Sequence, residues 1–194
     1  VRIDHVIYAS SDLDGAAARF EAELGLPAAG VGVHAGLGTQ NRIVALGGGY
    51  LELLAVADPT EAASSELGKA LLERIARHGE GLFGWAVAVD DVDPIAARLG
   101  TSVSTIAREG FSARLTGLTD ALREPFLPFF VSRDPGVPDP GAAGDAGGLT
   151  WVELAGDAAR LERWLGAAQL PVRVVGGTPG VRAVGIGEGE LRTR

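Results

Sequence analysis

Cysteine is absent from this 194-residue chain. A disulfide framework, a thiolate metal site and a cysteine nucleophile are therefore excluded. No apolar run reaches the roughly 18 residues that a membrane-spanning helix needs. No charged-then-apolar leader opens the sequence, so the expectation is a cytoplasmic protein. Lysine is nearly missing beside arginine, and the formal net charge is −8. That balance argues against a general affinity for nucleic acid or anionic membranes. Neither Gly47-Gly48-Gly49 nor Gly176-Gly177 has the strand-turn-helix context or the lysine of a phosphate loop. A nucleophile elbow, a His-Glu-x-x-His helix and an EF-hand loop are missing too. What remains is a chain with 46% hydrophobic residues, enough for a sizeable core in one or two small domains.

Two short apolar runs stand out, Arg2 to Tyr8 and Tyr50 to Val56. Each carries one ionisable group, His5 in the first and Glu52 in the second. Strand alternation predicts that His5 shares a face with Ile3 and Ile7, and Glu52 with Tyr50 and Leu54. An imidazole and a carboxylate in such company need each other, a metal or a substrate to offset desolvation.

The pattern along the chain predicts a strand over 2–9 and a helix from Asp14 to Leu24. Ser11 or Asp12 caps that helix, Gly25 stops it, and Ala17, Phe20 and Leu24 form its apolar stripe. Strands follow at 30–34, 41–46 and 50–57, the last two joined by the glycine turn. Residues 61–78 read as one linker helix with Leu67, Leu71 and Ile75 on its inner side. The opening pattern then returns: a strand over 82–89, a helix entered at Pro94, and strands at 103–108, 111–118 and 126–132. Residues 1–58 and 82–134 thus read as two copies of one β-α-β-β-β unit, joined by 59–81. Residues 135–148, rich in Pro, Gly, Ala and Asp, read as a flexible loop. Residues 149–194 read as a partial third β-α-β module. The fold class is α+β.

Tandem units with His on the first strand and Glu on the fourth resemble the vicinal-oxygen-chelate superfamily, which includes glyoxalase I, extradiol dioxygenases and fosfomycin-resistance proteins. The resemblance is closest to its glyoxalase-like domain branch. It rests on Asp4-His5-Val6-Ile7-Tyr8, Asp12-Leu13-Asp14, His34 with Gly38-Thr39-Gln40-Asn41, and Tyr50-Leu51-Glu52-Leu53. It implies a cup of sheet around a divalent metal (Zn, Ni, Mn or Fe) with four ligands, two from each module. By position, His5 and Glu52 match the first pair. Gly84 stands opposite His5, and Phe129 opposite Glu52, so the second pair has no counterpart. Glu153, inside Trp151-Val152-Glu153-Leu154, is a further metal candidate. Dimers are common in the superfamily, and the last segment offers a contact surface for a homodimer.

The resemblance implies a small-molecule enzyme with lyase, isomerase or dioxygenase chemistry. His5 and Glu52 would act as metal ligands or as an acid/base pair, and His34, Thr39 and Asn41 would orient substrate. Plainer accounts stand beside these: a hydrogen-bonded core histidine for His5, a solvated sheet face for Glu52, a loop histidine for His34, and a loop-to-strand cap for Thr39 and Asn41. Two other classes stay open: a metal-free protein that binds a drug or metabolite in the same cup, and a degenerate module that mainly dimerises.

Overall fold

The computed structural model describes residues 1–108 and 111–193. The first unit runs β1 (Arg2–Ala9), α1 (Leu13–Leu24), β2 (Ala29–His34), β3 (Thr39–Ala45) and β4 (Tyr50–Val56). Asp12 caps α1 by accepting from the Gly15 N–H, and Gly25 ends it in the left-handed conformation with φ 65°. The buried stripe of α1 is Leu13, Ala16 and Phe20, about one turn ahead of the predicted one and sharing Phe20 with it, and Leu24 is exposed.

The connector is two helices where the sequence suggests one: α2 (Pro59–Ala62) and α3 (Glu66–His78). The Ser65 hydroxyl accepts from the Gly68 N–H at 2.9 Å, so this serine starts a new helix rather than continuing the old one. Leu71 is fully buried on the inner side of α3, with Leu67 and Ile75 packed beside it.

The second unit comprises β5 (Gly81–Ala88), α4 (Asp93–Leu99), β6 (Val103–Arg108), β7 (Phe111–Thr116), α5 (Leu118–Arg123) and β8 (Phe129–Arg133). Helix α5 is an addition to the predicted pattern, and β8 begins three residues later than its apolar run. Phe126 and Leu127 are nonetheless buried. The indole N–H groups of Trp85 and Trp164 donate to the carbonyls of Phe126 and Pro128, which fixes that stretch as a buried crossing ahead of the strand.

Strands β1 to β8 form one sheet in the order β2-β3-β4-β1-β5-β8-β7-β6. The order is symmetric about the antiparallel β1–β5 pair, each unit contributing four strands with its first strand parallel to its last. The sheet curls until residues of both outer strands, β2 and β6, border one cavity. Its other face carries the main core, with Val6, Leu51, Leu53, Trp85 and Phe130, and packs on the last segment.

That segment is β9 (Leu149–Ala155), α6 (Ala158–Leu165), β10 (Val172–Val175), β11 (Gly180–Ile186) and β12 (Gly189–Arg192), in a second sheet ordered β10-β9-β11-β12. It opens with the same β-α-β order as the two units. Here, however, β10 lies directly beside β9 in parallel, whereas β2 lies three strands from β1. The loop before it is tied to the β3–β4 turn by Gly47 N–H to Gly141 O, Gly148 N–H to Leu46 O and Leu149 N–H to Gly48 O.

Gly38 sits where α2 meets the turn into β3, with φ +66°. A Cβ there would stand 2.6 Å from the Asp58 carbonyl oxygen and run into the Ala62 backbone. Gly38→Ala combines left-handed strain with overpacking, so a loss of about 1–3 kcal/mol is expected in urea unfolding. An unchanged midpoint would show that α2 does not hold this turn.

Candidate active site

The site begins with one extra residue. Strand β1 pairs Ile3 with Val87 and His5 with Ala86, so Asp4 has no partner of its own on β5. Such a bulge inserts a residue and re-aims the side chains around it. Ile3 consequently joins Val6 in the core, while His5 and Ile7 face the cavity. The predicted shared face of Ile3 and His5 is corrected by this shift. Glu52 does share the cavity face with Tyr50 and Leu54.

Asp4 is fully buried, and its carboxylate is fully occupied. One oxygen takes the Nδ1 side of His5 at 2.8 Å. Arg133, at the end of β8, donates to both oxygens at 2.7 Å each. Burial by itself would raise the Asp4 carboxyl, but hydrogen bonds from His5 and Arg133 and their charge hold it well below the usual carboxylate range. The same pairing outweighs burial at Arg133 and raises its guanidinium further. Tyr50 stacks on the His5 ring with centroids 4.6 Å apart, and Phe129 meets that ring edge-on at 5.4 Å. Burial, with Asp4 and Glu52 nearby, pushes the Tyr50 hydroxyl well above its ordinary value.

An ionised Asp4 accepts the Nδ1 proton and turns His5 Nε2 toward Glu52, whose Oε2 lies 3.5 Å away. The Asn41 amide donates to Glu52 Oε1 at 2.5 Å and lies 3.3 Å from His34 Nε2. The other nitrogen of His34 meets the Thr39 hydroxyl at 2.9 Å. His5, His34, Asn41 and Glu52 thus form one connected polar cluster on a cavity of about 570 Å³. The rest of its wall is mainly apolar, including Ile7, Ile43, Leu54, Leu115, Phe129 and Val131.

Of the residues singled out from sequence, His5, Glu52, His34 and Asn41 line this cavity. Thr39 is fully buried and reaches the cluster through His34. Glu153 is not brought here: it lies on β9 in the second sheet and pairs with Arg192 at 3.0 Å. Asp4, Tyr50 and Arg133 carry no assignment in the sequence reading. Asp4 stands inside the Asp4-His5 motif, but alternation alone aims it away from His5. Arg133 lies 129 residues from its partner, and nothing local marks it. Arg42 turns to a separate depression beside α1, where it pairs with Asp14 at 2.6 Å.

The donor set does not fit the four-ligand ion that the superfamily resemblance implies. Glu52 Oε1 already holds the Asn41 amide, and His5 Nδ1 holds Asp4. On the second half of the cup, β5 carries Gly84 at the position that corresponds to His5 by the repeat, and Phe129 presents a ring. Among the described residues, no group of three or more His, Cys, Asp or Glu side chains is placed to hold a metal ion.

Asp4 titrates below its unfolded value of about 3.9, so its pairing stabilises the fold above that pH and is withdrawn as pH falls below it. Asp4→Asn would leave Arg133 buried without a counter-charge, an expected loss of about 3–5 kcal/mol at neutral pH. Urea unfolding between pH 7 and 3 should show that loss and a flatter acid limb in the variant. Equal stability at neutral pH would mean the pair is not formed.

Residues 3–170 match the family described as "Glyoxalase-like domain". A variant of Streptomyces coelicolor methylmalonyl-CoA epimerase, in complex with 2-nitronate-propionyl-CoA, is 26% identical with a TM-score of 0.54, over 68% of this chain and 96% of that one. A hypothetical protein from Staphylococcus aureus is 14% identical and superposes with a TM-score of 0.72, over 94% of this chain and 89% of its own. The methylmalonyl-CoA epimerase of Mycobacterium tuberculosis is 20% identical with a TM-score of 0.52, over 73% and 92% of the two chains. No curated protein sequence matches the chain. No helix among the described residues is long and apolar enough to cross a membrane. With a family match over most of its length and the curled tandem sheet of such proteins, the chain belongs to the glyoxalase-like domain family, in the vicinal-oxygen-chelate superfamily of small-molecule enzymes.

Proposed function

We propose that the cavity is an active site in which Glu52 and His5 move a proton on a small carbonyl compound, as an isomerase or lyase does. The observation that carries this reading is the chain Asp4–His5–Glu52. A buried carboxylate sets the imidazole tautomer, and the imidazole faces a second carboxylate at 3.5 Å across an apolar cavity. An aspartate that orients a histidine supports acid/base work by keeping one ring nitrogen available for exchange. The epimerase relative at 26% identity supports the same class of chemistry, because inverting a carbon centre beside a carbonyl is a proton removal and return.

The roles follow from position. Glu52, held at Oε1 by the Asn41 amide, takes the proton from the carbon next to the carbonyl through Oε2. Protonated at Nε2, His5 donates to the oxygen as enolate character develops and so stabilises charge that appears only in the transition state. Tyr50 and Phe129 hold the imidazole plane, and Arg133 keeps Asp4 ionised. His34, through Thr39 and Asn41, keeps the amide turned toward Glu52.

A binding protein without catalysis is the second reading, favoured by the inert Gly84 and Phe129 on the second half of the cup. Solvent-deuterium uptake separates the two. Small ketones, aldehydes and 2-oxo acids incubated in deuterium oxide, followed by proton NMR, should include compounds that exchange at the carbon beside the carbonyl. Glu52→Gln should slow that exchange about 10²–10⁴-fold. Tight binding with no exchange in the whole set would favour the binding protein. Treatment with a chelator should leave the exchange rate unchanged. A loss that Zn, Ni, Mn or Fe restores would instead make His5 and Glu52 metal ligands.

A further inference from the structure

Resting on the acid/base reading above, we infer that the substrate is an uncharged, mainly apolar carbonyl compound, not a carboxylate, a phosphate ester or an acyl-CoA. The electrostatics of the cavity lead there. Among the described residues, Arg133 is the one lysine or arginine that lines it. Both Nη groups of Arg133 are spent on Asp4 at 2.7 Å, and Nε has no partner and essentially no accessible surface. Among the described residues, a ligand anion thus meets no unpaired lysine or arginine to replace its lost water.

The histidines do not supply a spare cation. His5 faces Asp4 through Nδ1 and Glu52 through Nε2, and His34 faces Thr39 and Asn41. Asp4 with Arg133, and Glu52 with the His5 that donates from both ring nitrogens, each sum to zero, which leaves no spare positive charge beside the Glu52 carboxylate. A carboxylate brought beside it would meet like charge at short range after giving up its hydration. A neutral carbonyl oxygen meets neither obstacle and accepts from His5 Nε2. The remaining wall, Ile7, Ile43, Leu54, Leu115, Phe129 and Val131, rewards an apolar body. A volume of about 570 Å³ falls within the range of drug-sized pockets, so the body extends beyond a few carbons.

The test uses an isosteric pair, 4-phenyl-2-butanone and 3-phenylpropionate, which differ by a methyl in place of a carboxylate oxygen. Butyryl-CoA is the third probe. Titration calorimetry on the full chain at pH 7.5 should show the ketone binding at least about tenfold more tightly than the carboxylate. Glu52→Gln should narrow that gap by weakening the repulsion. Equal or tighter binding of 3-phenylpropionate or butyryl-CoA, or no binding of the ketone at millimolar concentration, would overturn the inference. Deuterium uptake by the bound probes separates this result from the catalytic reading. A preferred ketone that does not exchange leaves the ligand class standing without catalysis. A carboxylate that binds and exchanges leaves catalysis standing without the neutral substrate.

Discussion

The extra residue at Asp4 is the constraint on which the site depends. Without it, the alternation of β1 would put Ile3 and His5 on one face and Asp4 on the other. With it, Ile3 and Val6 serve the core, His5 and Ile7 serve the cavity, and the Asp4 carboxylate lies where it reaches the imidazole. A buried carboxylate beside one histidine would still be short of hydrogen bonds. Arg133 supplies two, and that requirement couples the end of β8 to the beginning of β1. The pair therefore links the two halves of the sheet at the point where the candidate chemistry sits.

The two halves contribute differently. The first holds the polar cluster: His5, His34, Asn41 and Glu52, with Thr39 behind them. The second brings one cation, already neutralised, and otherwise apolar wall such as Leu115, Phe129 and Val131. In a cup with ligands from both halves, a metal would carry the electrostatic work. Here the same architecture gathers the polar side chains in one half and leaves the wall of the other mainly apolar. The last segment packs on the opposite face of the sheet, where Val152, Leu154 and Trp164 join the main core. It backs the cup without entering it.

Much of the candidate site was legible locally. His5 and Glu52 were visible because an ionisable group in an apolar strand is costly without a partner. His34 and Asn41 came with the motif around Gly38. Glu153 satisfied the same local criterion as Glu52, an acid within an apolar strand, yet it lies on the second sheet, away from the cavity, and pairs with Arg192. Periodicity cannot separate the two, because it shows which residues share a face and not what covers that face. Arg133 had no local signal, since its only distinction is a partner 129 residues away.

The sequence by itself determined the strands and helices of the two units, their repetition and the apolar positions of the core. These rest on backbone preference and on spacing over a few residues. Helix α5, the break at Ser65 and strand β12 escaped because capping, packing and edge pairing override short-range pattern. Only the tertiary structure decided that Asp4 turns toward His5, that Arg133 closes on Asp4, and that both outer strands border one cavity. Each of these requires strands far apart in the chain to meet, the first through the bulge that pairing with β5 puts into β1. Where they meet, desolvation makes an unpaired charge expensive and a paired one specific.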